Sequence, residues 1–183
     1  MMLQILKRLN LMMLPFLVLS VCFASDQPQT RSSQTSGAAQ NDTLSWLTGR
    51  WVGTRVEPST NDRSPVMSEI NPILGGAGEE ERVEIQTSTG LYRGMYLHVF
   101  DPKIGKSVLM YVNANRRQFV RLEGTVTEKG GEWLGPATSD HRSKLVSEWP
   151  SQDQWKRTQY MSEDAGKTWN VLWVDDLHRE KSK

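Results

Sequence analysis

The stretch that decides the fold is QWKRTQYMSEDAGKTWNVLWVDDLHR, residues 154–179. Two runs in which large and polar side chains alternate, as they do along β-strands, flank a turn at residues 162–167. Asp164 and Gly166 suit that turn, because it needs a side-chain acceptor and a residue that accepts positive φ. A hairpin with three Trp and a Tyr is not stable by itself, since two strands bury too little apolar surface. The stretch therefore predicts a hairpin within a larger sheet.

Almost every segment from Arg50 onward is a short alternating run between turn signals such as Gly75-Gly76. Roughly ten residues per strand and turn is typical of all-β domains and leaves no room for crossover helices. Short links predict an antiparallel meander, and closure into a barrel removes its two exposed edges. We predict an all-β fold, a single antiparallel up-and-down β-barrel of about ten strands preceded by a short helical turn. The predicted strands are residues 50–57, 66–74, 80–87, 92–100, 107–113, 118–125, 131–136, 144–149, 154–161 and 168–177.

The start of the chain has the pattern of a secretory signal peptide. Lys7 and Arg8 precede an apolar run at residues 9–21, and small residues stand at positions −3 and −1 of a cleavage site after Ala24. The apolar run is shorter than the ~20 residues that a membrane-spanning helix needs. The predicted organisation is a signal peptide at residues 1–24, a disordered polar linker at 25–41 and a calycin-like barrel domain at 42–183.

Export to the periplasm or the exterior follows from this leader. Cys22 leaves a second route open, since a lipoprotein signal places a cysteine at the cleavage site, but Val21 stands where such signals carry a small residue. We therefore favour cleavage after Ala24, which removes the one cysteine of the chain. The mature protein would then have no disulfide, no thiolate metal site and no transmembrane segment.

Charge and histidine spacing exclude several classes of partner. The chain has 22 Lys and Arg against 21 Asp and Glu, and removal of Lys7 and Arg8 takes the formal net charge from +1 to about −1. This balance predicts no nucleic acid and no anionic membrane surface as partner. His98, His141 and His178 lack the spacing of a metal site. We expect no metal and no cofactor.

Gly49-Arg50-Trp51 opens the first predicted strand and resembles the Gly-x-Trp start of lipocalin and calycin barrels. The resemblance implies that Trp51 plugs the closed end and that Arg179 stacks across it in a cation–π contact. A longer match resembles a group of secreted bacterial proteins classed as domains of unknown function with a calycin-like barrel. It covers residues 44–179 and implies the fold, but brings no activity. Its segments are residues 47–53, 90–94, 100–102, 119–124 and 162–169.

Ser162, Asp164, Gly166, Thr168 and Trp169 resemble the Asp-box of sialidases and related propellers. In those proteins the motif is a hairpin turn that occurs once per blade, and it is not catalytic. One copy in about 140 residues cannot build a propeller, which requires several blades. We interpret these residues as structural, with Asp164 tying the turn and Trp169 packing beneath it.

Aromatic and polar residues on several predicted strands suggest a ligand pocket. His98 shares a strand face with Tyr96, and Arg121 alternates with Phe119. Aromatic walls with a few polar groups are typical of sites for small molecules. The predicted ligand-binding residues are Tyr96, His98, Tyr111, Arg121 and Trp149.

We expect the barrel to bind a small, partly apolar molecule without catalysis, since the sequence has no phosphate loop, nucleophile elbow or dinucleotide fingerprint. Three alternatives stay open. One is an isomerase or hydrolase that uses His98 with Glu84 or Tyr96. Another is a haem-binding barrel of the nitrobindin type with His98 as axial ligand, and the third is a filled barrel that acts through its surface in envelope assembly. Arg82 and Glu84 are expected to face outward.

Overall fold

The computed structural model describes residues 44–114, 118–138 and 140–181. The predicted signal peptide and linker lie outside these residues. The described chain forms ten β-strands and a 3-10 turn at Leu74–Gly76. The strands are β1 (Gly49–Glu57), β2 (Asp62–Ile73), β3 (Gly78–Thr87), β4 (Gly90–Asp101), β5 (Lys106–Asn113), β6 (Gln118–Thr127), β7 (Gly130–Leu134), β8 (Arg142–Ser151), β9 (Gln154–Ser162) and β10 (Asn170–Arg179).

The strands form a closed antiparallel barrel. Each strand pairs with the next along the chain, and β1 pairs with β10 so that Trp51 lies opposite Arg179. A helical turn at residues 44–47 precedes β1, and in it the Leu47 N–H donates to the Leu44 carbonyl at 2.8 Å. The predicted fold, an all-β up-and-down barrel of the calycin and lipocalin kind, is confirmed.

All of the predicted strands are present, with ends that differ by a few residues. The largest difference is β2, which begins at Asp62 rather than Val66. Pro65 lies in the part of β2 that the prediction left out, and proline cannot donate a ladder hydrogen bond. In the structure Pro65 lies opposite Thr54 of β1, whereas pairing of β2 with β3 begins at Val66. Proline is tolerated there because β2 has one neighbouring strand at that point.

The core lies inside the barrel and is built from alternate residues of each strand, as the period of two requires. The helical turn before β1 adds two leucines to it. Each large apolar side chain that is fully buried in this way stabilises the fold by about 1.5–3 kcal/mol. The buried core residues are Leu44, Leu47, Trp51, Val66, Ile70, Val83, Ile85, Tyr96, Leu109, Leu122, Trp133, Leu145, Trp149, Trp155 and Leu177.

Within the described ranges, the helical segments lack the length and hydrophobicity needed to cross a membrane.

Candidate ligand-binding site

A layer of four charged side chains, here called the charged layer, crosses the barrel interior. It consists of Arg55 from β1, Glu81 from β3, Arg157 from β9 and Asp175 from β10, each 8% exposed or less. Arg157 Nη1 donates to both carboxylate oxygens of Glu81 at 2.7 and 2.9 Å, and its Nη2 donates to Asp175 at 2.9 Å. Arg55 Nε and Nη2 donate to Asp175 at 2.6 and 2.8 Å. Ser68 completes the layer, since its hydroxyl donates to Glu81 at 2.7 Å.

The charged layer is compensated, with two guanidinium groups facing two carboxylates. Burial by itself lowers the pKa of Arg157, but Glu81 and Asp175 outweigh burial and hold that pKa above its ordinary value. Burial raises the pKa of Asp175, yet the hydrogen bond from Arg55 and the charge of Arg157 keep it below its ordinary value. Arg157 and Asp175 therefore stay ionised inside the barrel, and each requires the other's charge.

On one side of the charged layer lies a cavity of about 300 Å³, here called the cup. Gly94 makes room for Tyr111, since a Cβ at Gly94 would lie 2.8 Å from the Tyr111 ring. The Tyr92 hydroxyl contacts the Tyr111 hydroxyl and accepts a hydrogen bond from Asn113 Nδ2 at 2.6 Å. The aromatic and polar lining residues are Arg55, Tyr92, Tyr96, Tyr111, Asn113, Ser143, Gln159 and Trp173.

The cup opens toward the turns that join β1 to β2 and β3 to β4. An outer cavity of about 610 Å³ shares Arg55 and Trp173 with the cup and reaches Ser59 and Leu91 near these turns. The Arg55 guanidinium carbon lies 3.7 Å from the centre of the Trp173 ring. Stacking on Trp173 and the bonds to Asp175 fix the Arg55 side chain at the border of the cup.

The opposite end of the barrel is closed by Trp51 and Arg179. Trp51 Nε1 donates to the Leu47 carbonyl at 2.7 Å, which fixes the helical turn over the end of the barrel. The Arg179 guanidinium carbon lies 4.4 Å from the centre of the Trp51 ring. Arg179 Nη1 and Nη2 donate to the carbonyls of Thr48 and Trp46 at 2.7 and 2.5 Å. The contact of Trp51 with Arg179 that the lipocalin resemblance implies is therefore present.

A second cavity of about 10 Å³, here called the closed-end cavity, lies between the charged layer and the helical turn. His98, Trp149 and Trp155 line it. Among the described residues, His98 Nδ1 and the indole nitrogens of Trp149 and Trp155 are buried polar atoms with no hydrogen-bond partner. Burial, with a smaller contribution from Arg157, lowers the pKa of His98 to about 3. Glu79, opposite His98 in the ladder of β3 and β4, has its pKa raised to about 7 by burial.

The predicted ligand-binding residues do not share one pocket. Tyr96 and Tyr111 line the cup, where their rings lie 4.5 Å apart between centres. His98 and Trp149 line the closed-end cavity instead. The expectation of a single pocket is wrong because the charged layer, absent from the prediction, divides the interior.

Arg121 was expected to line the pocket, and its placement is also wrong. Its side chain is 49% exposed, and its Nη2 lies 3.0 Å from Glu123. The alternation with Phe119 suggested an inner face, but Phe119 is itself 62% exposed. Val120 and Leu122 form the inner face of β6 and line the cup.

The geometry around His98 does not favour the catalytic or haem alternatives. Glu84 lies on the outer face of β3 and pairs with Arg93 at 2.9 Å, and Tyr96 borders the cup rather than the closed-end cavity. A haem does not fit the cavity of about 10 Å³ that His98 lines. Within the described chain, no group of three or more His, Cys, Asp or Glu is placed to hold a metal ion.

The turn between β9 and β10 has the structural role expected of the Asp-box resemblance. Asp164 Oδ1 accepts a hydrogen bond from the Thr168 N–H at 2.8 Å, and Ser162 Oγ accepts one from the Gly166 N–H at 2.7 Å. The bond from Thr168, with others in the turn, holds the pKa of Asp164 below its ordinary range. Gly166 has a φ of 100°, and a Cβ there would lie 3.4 Å from the Trp169 ring.

Comparison with known proteins bears on the fold. A scan against protein-family models found no match, and a search of curated proteins found none. Among solved structures, the barrel is similar to the S-type phycobiliprotein lyase CPES from Guillardia theta, with a TM-score of 0.55 and 12% sequence identity over 85% of this chain and 100% of that chain. At this identity the similarity shows a shared lipocalin-like fold and nothing more. Membership of the secreted bacterial family stays a prediction.

Proposed function

We propose that this protein is an exported binding protein that holds one small, partly apolar molecule in the cup. The observation that carries the proposal is the cup itself, about 300 Å³ of space inside a closed barrel. That volume lies at the lower end of the range of known small-molecule sites. A barrel of this size can either fill itself with side chains or keep room for one ligand, and this one keeps room above the charged layer.

The lining of the cup supports a flat, partly aromatic ligand. Tyr96, Tyr111 and Trp173 provide ring surfaces, which favour stacked or edge-on contacts with another ring. Asn113 and Gln159 provide amide groups that can fix the orientation of a ligand's polar edge. The charged layer beneath is compensated, so it offers no strong attraction for a highly charged molecule.

Binding without catalysis is the proposal because the described residues that line the cup include no acid–base pair. His98 borders the other cavity, and Tyr96 and Tyr111 in the cup have pKa values above their ordinary range, mainly because they are buried. Phenols in that condition donate and accept hydrogen bonds but do not ionise near neutral pH. The solved structure with a similar barrel is named a lyase, which is a reminder that fold does not set function.

Two variants on the same strand test the proposal. Val120→Trp places an indole inside the cup, whereas Arg121→Trp places the same side chain on the outer surface. We expect native mass spectrometry of protein purified from its own host to show a retained small molecule in the unmodified protein and in Arg121→Trp. In Val120→Trp the retained fraction should fall on the order of tenfold, which corresponds to about 1.4 kcal/mol.

Retention of the same molecule at the same level by both variants would overturn the proposal for the cup. A protein that retains nothing, and that shows no change of Trp fluorescence across a panel of aromatic small molecules, would do so as well. The near-ultraviolet circular dichroism of both variants must match the unmodified protein, so that a misfolded variant is not mistaken for an emptied one.

Export is the part of the proposal that rests on the leader. The intact mass of the mature protein tests export. Cleavage after Ala24 gives a chain that begins at Ser25, whereas a lipoprotein would begin at Cys22 and carry acyl chains on it. A mature protein that retains Met1 would contradict export.

A further inference from the structure

We propose that the closed-end cavity binds one water molecule that joins Trp149, Trp155 and His98. In this arrangement the two indole N–H groups donate to the water oxygen, and the water donates to His98 Nδ1. This site is separate from the cup and does not depend on the function proposed for it.

The first step of the inference is that three side chains, each with a buried polar atom that has no partner among the described residues, line one cavity. Trp149 and Trp155 are 7% and 3% exposed, and neither indole nitrogen has a hydrogen-bond partner among the described residues. His98 Nδ1 is likewise buried and has no hydrogen-bond partner among the described residues. All three side chains line the closed-end cavity. A buried polar group without a partner destabilises the fold, so three side chains that carry such groups around one cavity point to a shared partner.

The second step is the size of the cavity. Its volume of about 10 Å³ is close to the least that one water molecule requires, and a buried water makes two to four hydrogen bonds. A larger polar ligand does not fit.

The third step is the charge of the surroundings, which excludes an ion. Two N–H donors oppose a cation. An anion is opposed by Glu81, which lines the cavity as the buried partner of Arg157. A neutral molecule that both accepts and donates fits this mixed lining.

The fourth step is the state of His98. Because its pKa is lowered to about 3, its imidazole is neutral above that pH and carries one N–H. If that proton is on Nε2, then Nδ1 is an acceptor, and the water uses its two lone pairs for the indoles and one hydrogen for His98. The proposal therefore requires the Nε2–H tautomer.

Nuclear magnetic resonance of the unmodified protein tests these requirements. We expect nuclear Overhauser contacts from one long-lived water to the indole protons of both Trp149 and Trp155, and ¹⁵N shifts of His98 that show Nδ1 as the acceptor. Absence of a long-lived water at both indoles would overturn the proposal. So would a proton on Nδ1, or bromide found in the cavity by anomalous diffraction from crystals soaked in a bromide salt.

A matched pair of variants gives a second measurement. Trp155→Phe removes an indole that would bind the water, and Trp133→Phe removes one whose N–H already donates to Ser107 Oγ at 3.0 Å. If the water is bound, both variants should lower the melting temperature by similar amounts, and Trp155→Phe should also weaken the water contact at Trp149. If the cavity is dry, Trp155→Phe should lower the melting temperature clearly less than Trp133→Phe, since it removes an unsatisfied donor, and that result would overturn the proposal.

Discussion

The two ends of the barrel interior are built from the same ten described strands and filled in different ways. At the closed end, the Trp51 ring meets Trp46 and Trp155 edge to face, with centres 6.3 and 5.7 Å apart, and the remaining space is about 10 Å³. In the cup, phenol and amide groups leave about 300 Å³. At the closed end several indoles pack against one another and fill the space, whereas in the cup one indole, Trp173, stands among phenol and amide groups that leave it open. One end thus serves stability, and the other is available for binding.

The charged layer separates these two ends, and removing one of its charges should cause the largest loss of stability among the variants proposed. Asp175→Ala removes the carboxylate that pairs with the buried Arg55 and leaves Arg157 with Glu81 as its remaining carboxylate. We expect the free energy of unfolding, measured with urea, to fall by about 3–5 kcal/mol. Asp176→Ala is the control, because the next residue on β10 is exposed, and its effect should stay within about 0.5 kcal/mol. Equal effects of the two variants would show that loss of Asp175 leaves no uncompensated charge in the barrel interior.

The closed end should respond less strongly to loss of its cation. Arg179→Met removes the stacking on Trp51 and the two bonds to backbone carbonyls, while keeping much of the aliphatic side chain. We expect a loss of about 2 kcal/mol in urea unfolding. Arg50→Met breaks an exposed pair with Glu180 and should cost about 0.5 kcal/mol or less. A loss for Arg179→Met no larger than this would show that the helical turn closes the barrel without Arg179.

The smallest effect concerns Glu79 and depends on pH. Burial raises the pKa of Glu79 from 4.5 to about 7, so between these pH values the folded state holds a proton that the unfolded state has released. This group therefore makes the protein less stable as pH rises from about 4.5 to 7. Glu79→Gln should be more stable than the unmodified protein at pH 8, on the order of 1 kcal/mol, and about equal to it at pH 4.5.

Thermal unfolding at both pH values measures this difference. His98 changes stability in the opposite direction over part of the same range, since its folded pKa of about 3 lies below the ordinary value of 6.5, but His98 is present in both proteins and cancels. Glu80→Gln, one residue along β3 on the outer face, is the control. A pH-independent difference for Glu79→Gln would show that folding does not raise the pKa of Glu79.

The barrel could be predicted from sequence because its signal is local. Alternation with a period of two, interrupted by turn residues every ten positions or so, recurs in every strand and does not depend on which strands pair. The closure by Trp51 and Arg179 was within reach because a Gly-x-Trp start carries a known structural role. The outward direction of Arg82 also followed from alternation with Val83, and the structure bears this out.

The charged layer was not predicted, although alternation along the strands places two of its members on the inner face. Glu81 shares the inner face of β3 with Val83 and Ile85, and Arg157 alternates with Trp155 on β9. A charged residue on the same strand face as core residues is usually read as an exception to the alternating pattern, because burying a lone charge costs a large free energy. That cost is offset only when oppositely charged residues from distant strands pack beside the charge, and Glu81 and Arg157 are 76 positions apart. Alternation within one strand does not show which residues of distant strands a charged side chain will contact.

Arg121 shows the reverse error, in which a basic residue beside an aromatic one suggested a binding face. Alternation gives two faces for each strand but does not say which is inside. On β6 the answer is set by the neighbours, since Leu122 lies opposite the fully buried Leu109 of β5.

The pairing of β1 with β10 has a consequence for how the chain reaches its native state. The first strand, β1, pairs with β10, which is synthesised more than 110 residues later, because Val56 lies opposite Val174. Contacts of such long sequence separation slow folding, and until they form the edges of β1 and β10 are open to other chains. A chain that crosses a membrane unfolded would complete the ring only after its last segment emerges. Shortening the C-terminus before Asn170 should therefore yield aggregates rather than a smaller barrel.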